Sequence, residues 1–160
     1  MLLYHGSNVT VEKPRLFKSD RRVDFGPGFY LTSSLDQARR WARVVSRRRN
    51  AGTPTVSVFS FSESKTAEMR VIAFESASIE WLRYIGGNRK GNAIDTTSDI
   101  VIGPVANDNT MPTLRLFFSG VYTEEEAIKR LLPQKLHDQY AFKTERSLQA
   151  ITFREVIIDE

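Results

Sequence analysis

Apolar residues recur along this chain with two different periods. Phe29–Thr32 and Thr55–Phe61 are runs of aromatic and β-branched residues, the second alternating with polar ones, and both predict strands. Residues 1–5, Ile100–Ile102, Tyr140–Lys143 and Thr152–Ile158 read the same way, with a turn at Ser147–Ala150 before the last of them. After Thr32 the period lengthens: Leu35, Ala38, Trp41, Ala42 and Val45 fall on one face of a helix. Ser34 is placed to cap its start, Gln37 occupies the capping-box position, and Gly52 and Pro54 end it. A second helix is expected over Ser78–Ile85, stopped by Gly86-Gly87. Two more, Leu114–Phe118 and Thr123–Leu132, are separated by Gly120; Thr123 and Glu126 form another capping box, and Pro133 stops the run. Residues 8–28, rich in charge, Pro and Gly, predict a loop over the face of the fold. Strand-rich ends around a helical middle predict one α+β domain over residues 1–160.

Composition narrows the chemistry. A chain of 160 residues can bury roughly 70% of its unfolded surface without a staple. It has no cysteine, which excludes thiol catalysis and cysteine zinc sites and fits a cytoplasmic location. Its two histidines, His5 and His137, are far apart, so no dedicated metal site is expected. No apolar run approaches the roughly 18 residues of a membrane span, and Met1-Leu2-Leu3 passes into the first motif without a basic, hydrophobic leader, which predicts a soluble, untargeted protein.

The net charge of +4 is unevenly placed. Arg39, Arg40, Arg43, Arg47, Arg48 and Arg49 sit on one predicted helix, with Lys13, Arg15, Lys18, Arg21 and Arg22 just upstream. Two readings stay open: a solvated helix face beside a charged loop, or a surface for polyanions, either a dinucleotide pyrophosphate or a nucleic-acid backbone.

Two motifs carry the most specific signal. Tyr4-His5-Gly6-Ser7 ends the first predicted strand, and Asp24-Phe25-Gly26-Pro27-Gly28-Phe29-Tyr30-Leu31-Thr32 runs into the helix near Ser34. In this order and spacing they resemble the NAD-binding half of the ADP-ribosyltransferase superfamily, in the branch shared by diphtheria toxin and the poly-ADP-ribose polymerases. The resemblance implies a split antiparallel sheet with helices in the middle of the chain. It also implies that His5 hydrogen-bonds a ribose hydroxyl of NAD, that Gly6 and Ser7 help to hold the dinucleotide, and that Tyr30 stacks on nicotinamide. Imidazole can donate or accept to a hydroxyl, and a residue without a Cβ lets a ligand amide approach the backbone. Trp41, eleven residues after Tyr30, matches a second aromatic that completes the nicotinamide sandwich, although it also lies on the helix's apolar face and core packing would account for it equally. Ala38 stands where those enzymes have an amide-binding serine. Arg15, Arg21 and Arg22 are candidates to meet the pyrophosphate.

The third superfamily signature is an acidic residue on a later strand. Here alignment places Gln139, which can hydrogen-bond a ribose but carries no charge and cannot act as a base, so polymer elongation is not expected. Asp138 and Glu145 are nearby carboxylates, with alternation putting Asp138 on the opposite strand face. The order from Asp99-Ile100-Val101-Ile102-Gly103-Pro104 through Asn107-Asp108-Asn109 to Gln139 is similar to a family of small bacterial ADP-ribosyltransferase-fold proteins encoded beside antitoxin-like genes. That resemblance implies a cytoplasmic mono-ADP-ribosyltransferase using NAD as substrate, with a macromolecular acceptor and a small antitoxin as partners. The arginines tilt the acceptor towards nucleic acid over protein. Asn107, Asp108, Asn88 and Arg89 are weaker candidates to line the cleft. Gln139 keeps two other readings open, an NAD- or ADP-ribose-binding module and an NAD glycohydrolase without a macromolecular acceptor.

Overall fold

The computed structural model describes residues 1–16, 24–106, 109–132 and 136–158. In chain order the elements are β1 (Leu2–Ser7), β2 (Phe29–Thr32), α1 (Leu35–Arg49), β3 (Thr55–Phe61), β4 (Val71–Ala73), α2 (Ile79–Lys90), β5 (Ile100–Pro104), α3 (Met111–Phe118), α4 (Glu124–Leu131), β6 (Asp138–Phe142) and β7 (Ile151–Ile158), with short 3-10 turns at Glu63–Thr66 and Ser147–Ala150. The strands form a seven-stranded sheet in the order β4-β5-β6-β2-β1-β3-β7. The fold is mixed α+β. The sheet is not antiparallel throughout: β4, too short to stand out by alternation, pairs parallel to β5, and the other pairs are antiparallel.

Alternation sorts the strand side chains onto two faces. Val101, Ala141 and Tyr30 follow one another across β5, β6 and β2 and pack with α2, α3 and α4 around Phe25, Trp81, Leu82, Ile85 and Leu114. Farther along the same face, Val56 and Val58 meet Ala38 of α1. On the reverse face Leu3, Phe29, Phe59, Phe61, Ile100 and Phe142 form a second core, closed by Ala150, Ile151 and the partly buried Val11 and Leu16.

Local signals explain most helix limits. Ser34 caps α1 by accepting from the Gln37 amide at 3.2 Å, a cap worth about 1 kcal/mol. The Ser34 amide donates to Thr32 Oγ1, so β2 takes the reciprocal half of the box. Thr123 caps α4 in the same way; the expected stop at Pro133 lies outside the described residues. The expected stop of α2 at Gly86-Gly87 is overturned, for α2 runs on to Lys90 and ends at Gly91 with φ 79°. Those two glycines are there for proximity. A Cβ on Gly87 would lie 2.7 Å from the Asn92 carbonyl oxygen, and one on Gly86 would lie 3.3 Å from the Phe118 ring.

The join between β1 and β2 positions the site. These strands share a single register pair, Tyr4 with Thr32, whereas β1 pairs with β3 along its whole length from Leu2 to Ser7. Continuing the β1–β2 register would set Gly6 opposite Tyr30. Instead the strands part, and the edge of β1 from His5 to Ser7 has no partner on β2.

Candidate functional site

His5 spans the gap with its side chain. Nδ1 lies 2.8 Å from the Tyr30 carbonyl oxygen; a carbonyl only accepts, so Nδ1 carries the hydrogen and the neutral ring keeps its lone pair on Nε2. The ring stacks on Phe29 with centroids 4.3 Å apart. Burial lowers the His5 pKa from its ordinary 6.5, the bond to Tyr30 opposes that shift, and the nearby Arg49 charge adds to it. The result is a neutral imidazole of fixed tautomer whose Nε2, among the described residues, has no partner and can accept from a hydroxyl.

Gly6 is tighter than ligand access alone requires. A Cβ there would sit 2.2 Å from the Ala38 carbonyl oxygen and 3.0 Å from the Ala42 amide nitrogen. The glycine lets α1 lie directly on the end of β1, which brings the flank of the helix to the open strand edge. There His5, Gly6, Ser7, Trp41, Val45, Arg48 and Arg49 line a cavity of about 150 Å³, a volume that takes one benzene-sized ring.

Trp41 is the informative member. Core packing would have buried it, yet it is 41% exposed while Ala38, Ala42 and Val45 carry the buried side of α1. The reason is angular: Trp41 lies at the edge of the apolar stripe, beyond the sheet, where the strands have parted. The Arg48 guanidinium carbon lies 5.5 Å from its ring centroid. Arg49 donates to Asn8 Oδ1 at 2.8 Å, Asn8 Nδ2 donates to the Ala51 carbonyl, and Ser7 Oγ donates to Asn8 Oδ1, so this clasp ties the end of β1 to the end of α1.

The structure therefore brings His5, Gly6, Ser7 and Trp41 together, and adds Arg48 and Arg49. Sequence reasoning treats those two only as part of a basic face; the available signal is that Arg48 follows Trp41 by seven residues, close to two full turns, which places both on the same flank. Arg15 is exposed and does not line this cavity. Arg21 and Arg22, like Lys18, Asn107 and Asp108, lie outside the described residues.

Tyr30 stands on the other side of the gap, and Gln139 lies one strand farther, on β6, in the row of the joined Tyr4–Thr32 pair. Tyr30 pairs with Ala141, and Gln139 with Thr32, which makes the two diagonal neighbours on the helix-covered face. The Tyr30 hydroxyl donates to the Gly26 carbonyl in a short bond. Its burial and the charge of Asp24 push its pKa well above the ordinary 10. Gln139 is 8% exposed, and its Nε2 is buried without a hydrogen-bond partner among the described residues. Such a donor costs free energy unless something accepts from it. Asp138 is exposed on the opposite strand face, and His137 is exposed with Nε2 3.5 Å from Arg40.

Asn88 and Arg89 belong to α2 and do not line the cavity. Asn88 Nδ2 donates to the Asp24 carbonyl at 2.8 Å and Arg89 Nε to the Asp24 carboxylate at 2.5 Å, docking the turn that delivers Gly26, Gly28 and Tyr30. Among the described residues, no three His, Asp or Glu side chains converge as a metal site, and no helix is long and apolar enough to cross a membrane.

A family model described as "Protein of unknown function (DUF3990)" matches residues 1–153. The chain belongs to this family. The match takes in β1 with His5, the Asp24–Thr32 turn and strand, α1 and β6 with Gln139, so the whole site lies within the family's span. No curated protein matches the chain.

Proposed function

We propose that this protein is an NAD-dependent mono-ADP-ribosyltransferase that modifies a macromolecule, acting as the toxin of a toxin–antitoxin pair in the bacterial cytoplasm. The observation that carries the reading is the meeting of the unpaired end of β1 with the exposed ring of Trp41, under Arg48 and beside the neutral His5. The sequence resemblance supplies the reaction class, and the site supplies groups suited to it.

In such a reaction the bond between the nicotinamide nitrogen and ribose C1′ breaks and its electron pair leaves with nicotinamide. An acceptor oxygen or nitrogen bonds to C1′, and the acceptor's proton passes to solvent. Positive charge builds on the sugar in between, so the protein's task is to hold and orient, not to supply a nucleophile. His5 Nε2 would accept from a ribose hydroxyl, since Nδ1 is committed to Tyr30. The nicotinamide ring would stack on Trp41 in the ring-sized cavity, with the backbone of Gly6 and Ser7 beside it. Arg48 and Arg49 replace Arg15, Arg21 and Arg22 as our assignment for the pyrophosphate, because they line the cavity. Tyr30 would form the far wall of the gap, and the Gln139 Nε2, unpartnered among the described residues and one strand beyond it, would donate to the ribose.

One observation favours a second reading. At the third-motif position the group is an amide, so no carboxylate faces the developing charge; an NAD- or ADP-ribose-binding module needs none. Incubating the protein and a Trp41→Ala variant with NAD labelled on its adenylate phosphate and a bacterial lysate separates the possibilities. Label in RNA, DNA or protein with the wild type, and at least about tenfold less with the variant, is the expected outcome. Nicotinamide release without label would make the protein a glycohydrolase, and a ligand-induced rise in Tm with neither would make it a binding module.

A further inference from the structure

Helix α1 carries six arginines, Arg39, Arg40, Arg43, Arg47, Arg48 and Arg49, against one carboxylate, Asp36. Outside α1, Arg83 pairs with Glu124, Arg89 with Asp24 and Arg146 with Asp99, so among the described residues no other element carries so many arginines without carboxylates. Among the described residues, no carboxylate pairs with Arg39, Arg40, Arg47, Arg48 or Arg49.

Folding does not account for this. The helix dipole favours cations in the last turn only, which covers Arg47 to Arg49 but not Arg39 and Arg40. Like charges four apart, as in Arg39 with Arg43 and Arg43 with Arg47, weaken a helix.

Arg40, Arg43 and Arg47 are exposed and spaced i, i+3, i+7, so they form one stripe about 10 Å long on the face away from Ala38, Ala42 and Val45. At the C-terminal end Arg43 and Arg47 run into an open concavity of about 640 Å³ completed by Asn50, Gly52 and Pro54. The stripe holds no large apolar anchor: Trp41, the one exposed large hydrophobic residue of α1, is on the flank that faces the His5 cavity. Protein partners are gripped mainly through such anchors, whereas phosphate recognition works through distributed, fork-shaped guanidinium groups.

We propose that the Arg40–Arg43–Arg47 stripe docks the phosphate backbone of a nucleic acid. A strand lying along it passes the C-terminal end of α1, where Arg47 is followed by Arg48 and the His5–Trp41 cavity. As the surface that delivers an acceptor, the stripe rests on the transferase reading; as a binding surface it stands independently of NAD.

The test is fluorescence anisotropy of labelled 20-nucleotide single strands, one DNA and one RNA of the same sequence, titrated with the full chain without NAD at several salt concentrations. The R40Q/R43Q/R47Q variant is compared with K65Q/K129Q/R154Q, which removes equal charge at exposed positions elsewhere, and thermal melts of both verify folding. We expect the α1 variant to bind at least about tenfold more weakly and the slope of log K against log salt to fall by about two, with the control variant near wild type. Equal losses in both variants would reduce the effect to net charge and overturn the proposal. So would the absence of binding at low salt, or a stripe that binds polyglutamate but neither oligonucleotide. Because NAD is absent, binding can be established even if no ADP-ribosylation is ever detected, and can fail while transfer succeeds.

Discussion

Two regions of this protein use the same residue types to opposite ends. Around α2, β5 and the end of β6, charge is consumed internally. Asp99 is buried and takes Arg146 through both carboxylate oxygens, Thr144 Oγ1 at 2.7 Å and the Arg70 amide at 2.9 Å, which together hold its carboxyl far below the ordinary carboxylate range despite burial. Asp24 is likewise taken by Arg89. Around β1 and α1, Arg39, Arg40, Arg47, Arg48 and Arg49 have no carboxylate partner among the described residues, an aromatic ring is left exposed, and the His5–Ser7 edge has no partner on β2. Pairing fixes loops in place, and withholding it leaves groups available to a ligand. Sequence alone does not distinguish an arginine of the first kind from one of the second.

The contrast can be broken most severely at Gly6, where the open region is itself under packing constraint. Gly6→Ala should cost about 3 kcal/mol or more, because the methyl meets helix backbone that cannot move aside; urea unfolding measures it, and a loss below about 1 kcal/mol would mean that α1 does not sit on β1 as described. Asp99→Asn tests the consumed charge. Its expected effect is a Tm drop on the order of 5 °C at neutral pH. Since the folded-state pKa is depressed below the ordinary 3.8, this contribution is complete above that value and disappears as pH falls below it, so wild type and variant should converge in acid. Equal melting curves at neutral pH would remove the distinction between the two regions. The smallest stability change is expected at Gln139, whose Nε2 has no hydrogen-bond partner among the described residues. Gln139→Met should leave stability unchanged or raise it by up to about 1 kcal/mol, while nicotinamide release, measured on the same preparation, should fall. A clear destabilisation would show that the amide has a structural partner.

Much of the fold was legible because its signals are local. The Phe29–Thr32 and Thr55–Phe61 strands, the Ser34 and Thr123 caps and the Ser147–Ala150 turn each depend on residues within a few positions of one another. The length of α2 was not legible, because Gly86 and Gly87 answer to Phe118 and Asn92 and not to their neighbours in the helix. Three-residue β4 carries too short a pattern to register and exists by pairing with β5. Within the site, His5, Gly6, Ser7 and Trp41 were chosen from motif and spacing, and they do line one cavity. Arg48 and Arg49, which line the same cavity while Arg15 does not, were not singled out, since proximity along the chain to a motif says little about which flank of a helix will turn towards it.

By itself the sequence determined the periodic elements, the excess of arginine on α1 and the motif set that suggests NAD, because periodicity, composition and short-range order are properties of a linear chain. Only the tertiary structure decided that Trp41 is exposed, that Gly6 serves α1, that Asn88 and Arg89 hold the Asp24 turn, and that Arg48 and Arg49 line the cavity. Those outcomes depend on contacts between residues far apart in the chain, such as Gly6 against Ala38 and Ala42 and Asn88 against Asp24, which no local pattern encodes.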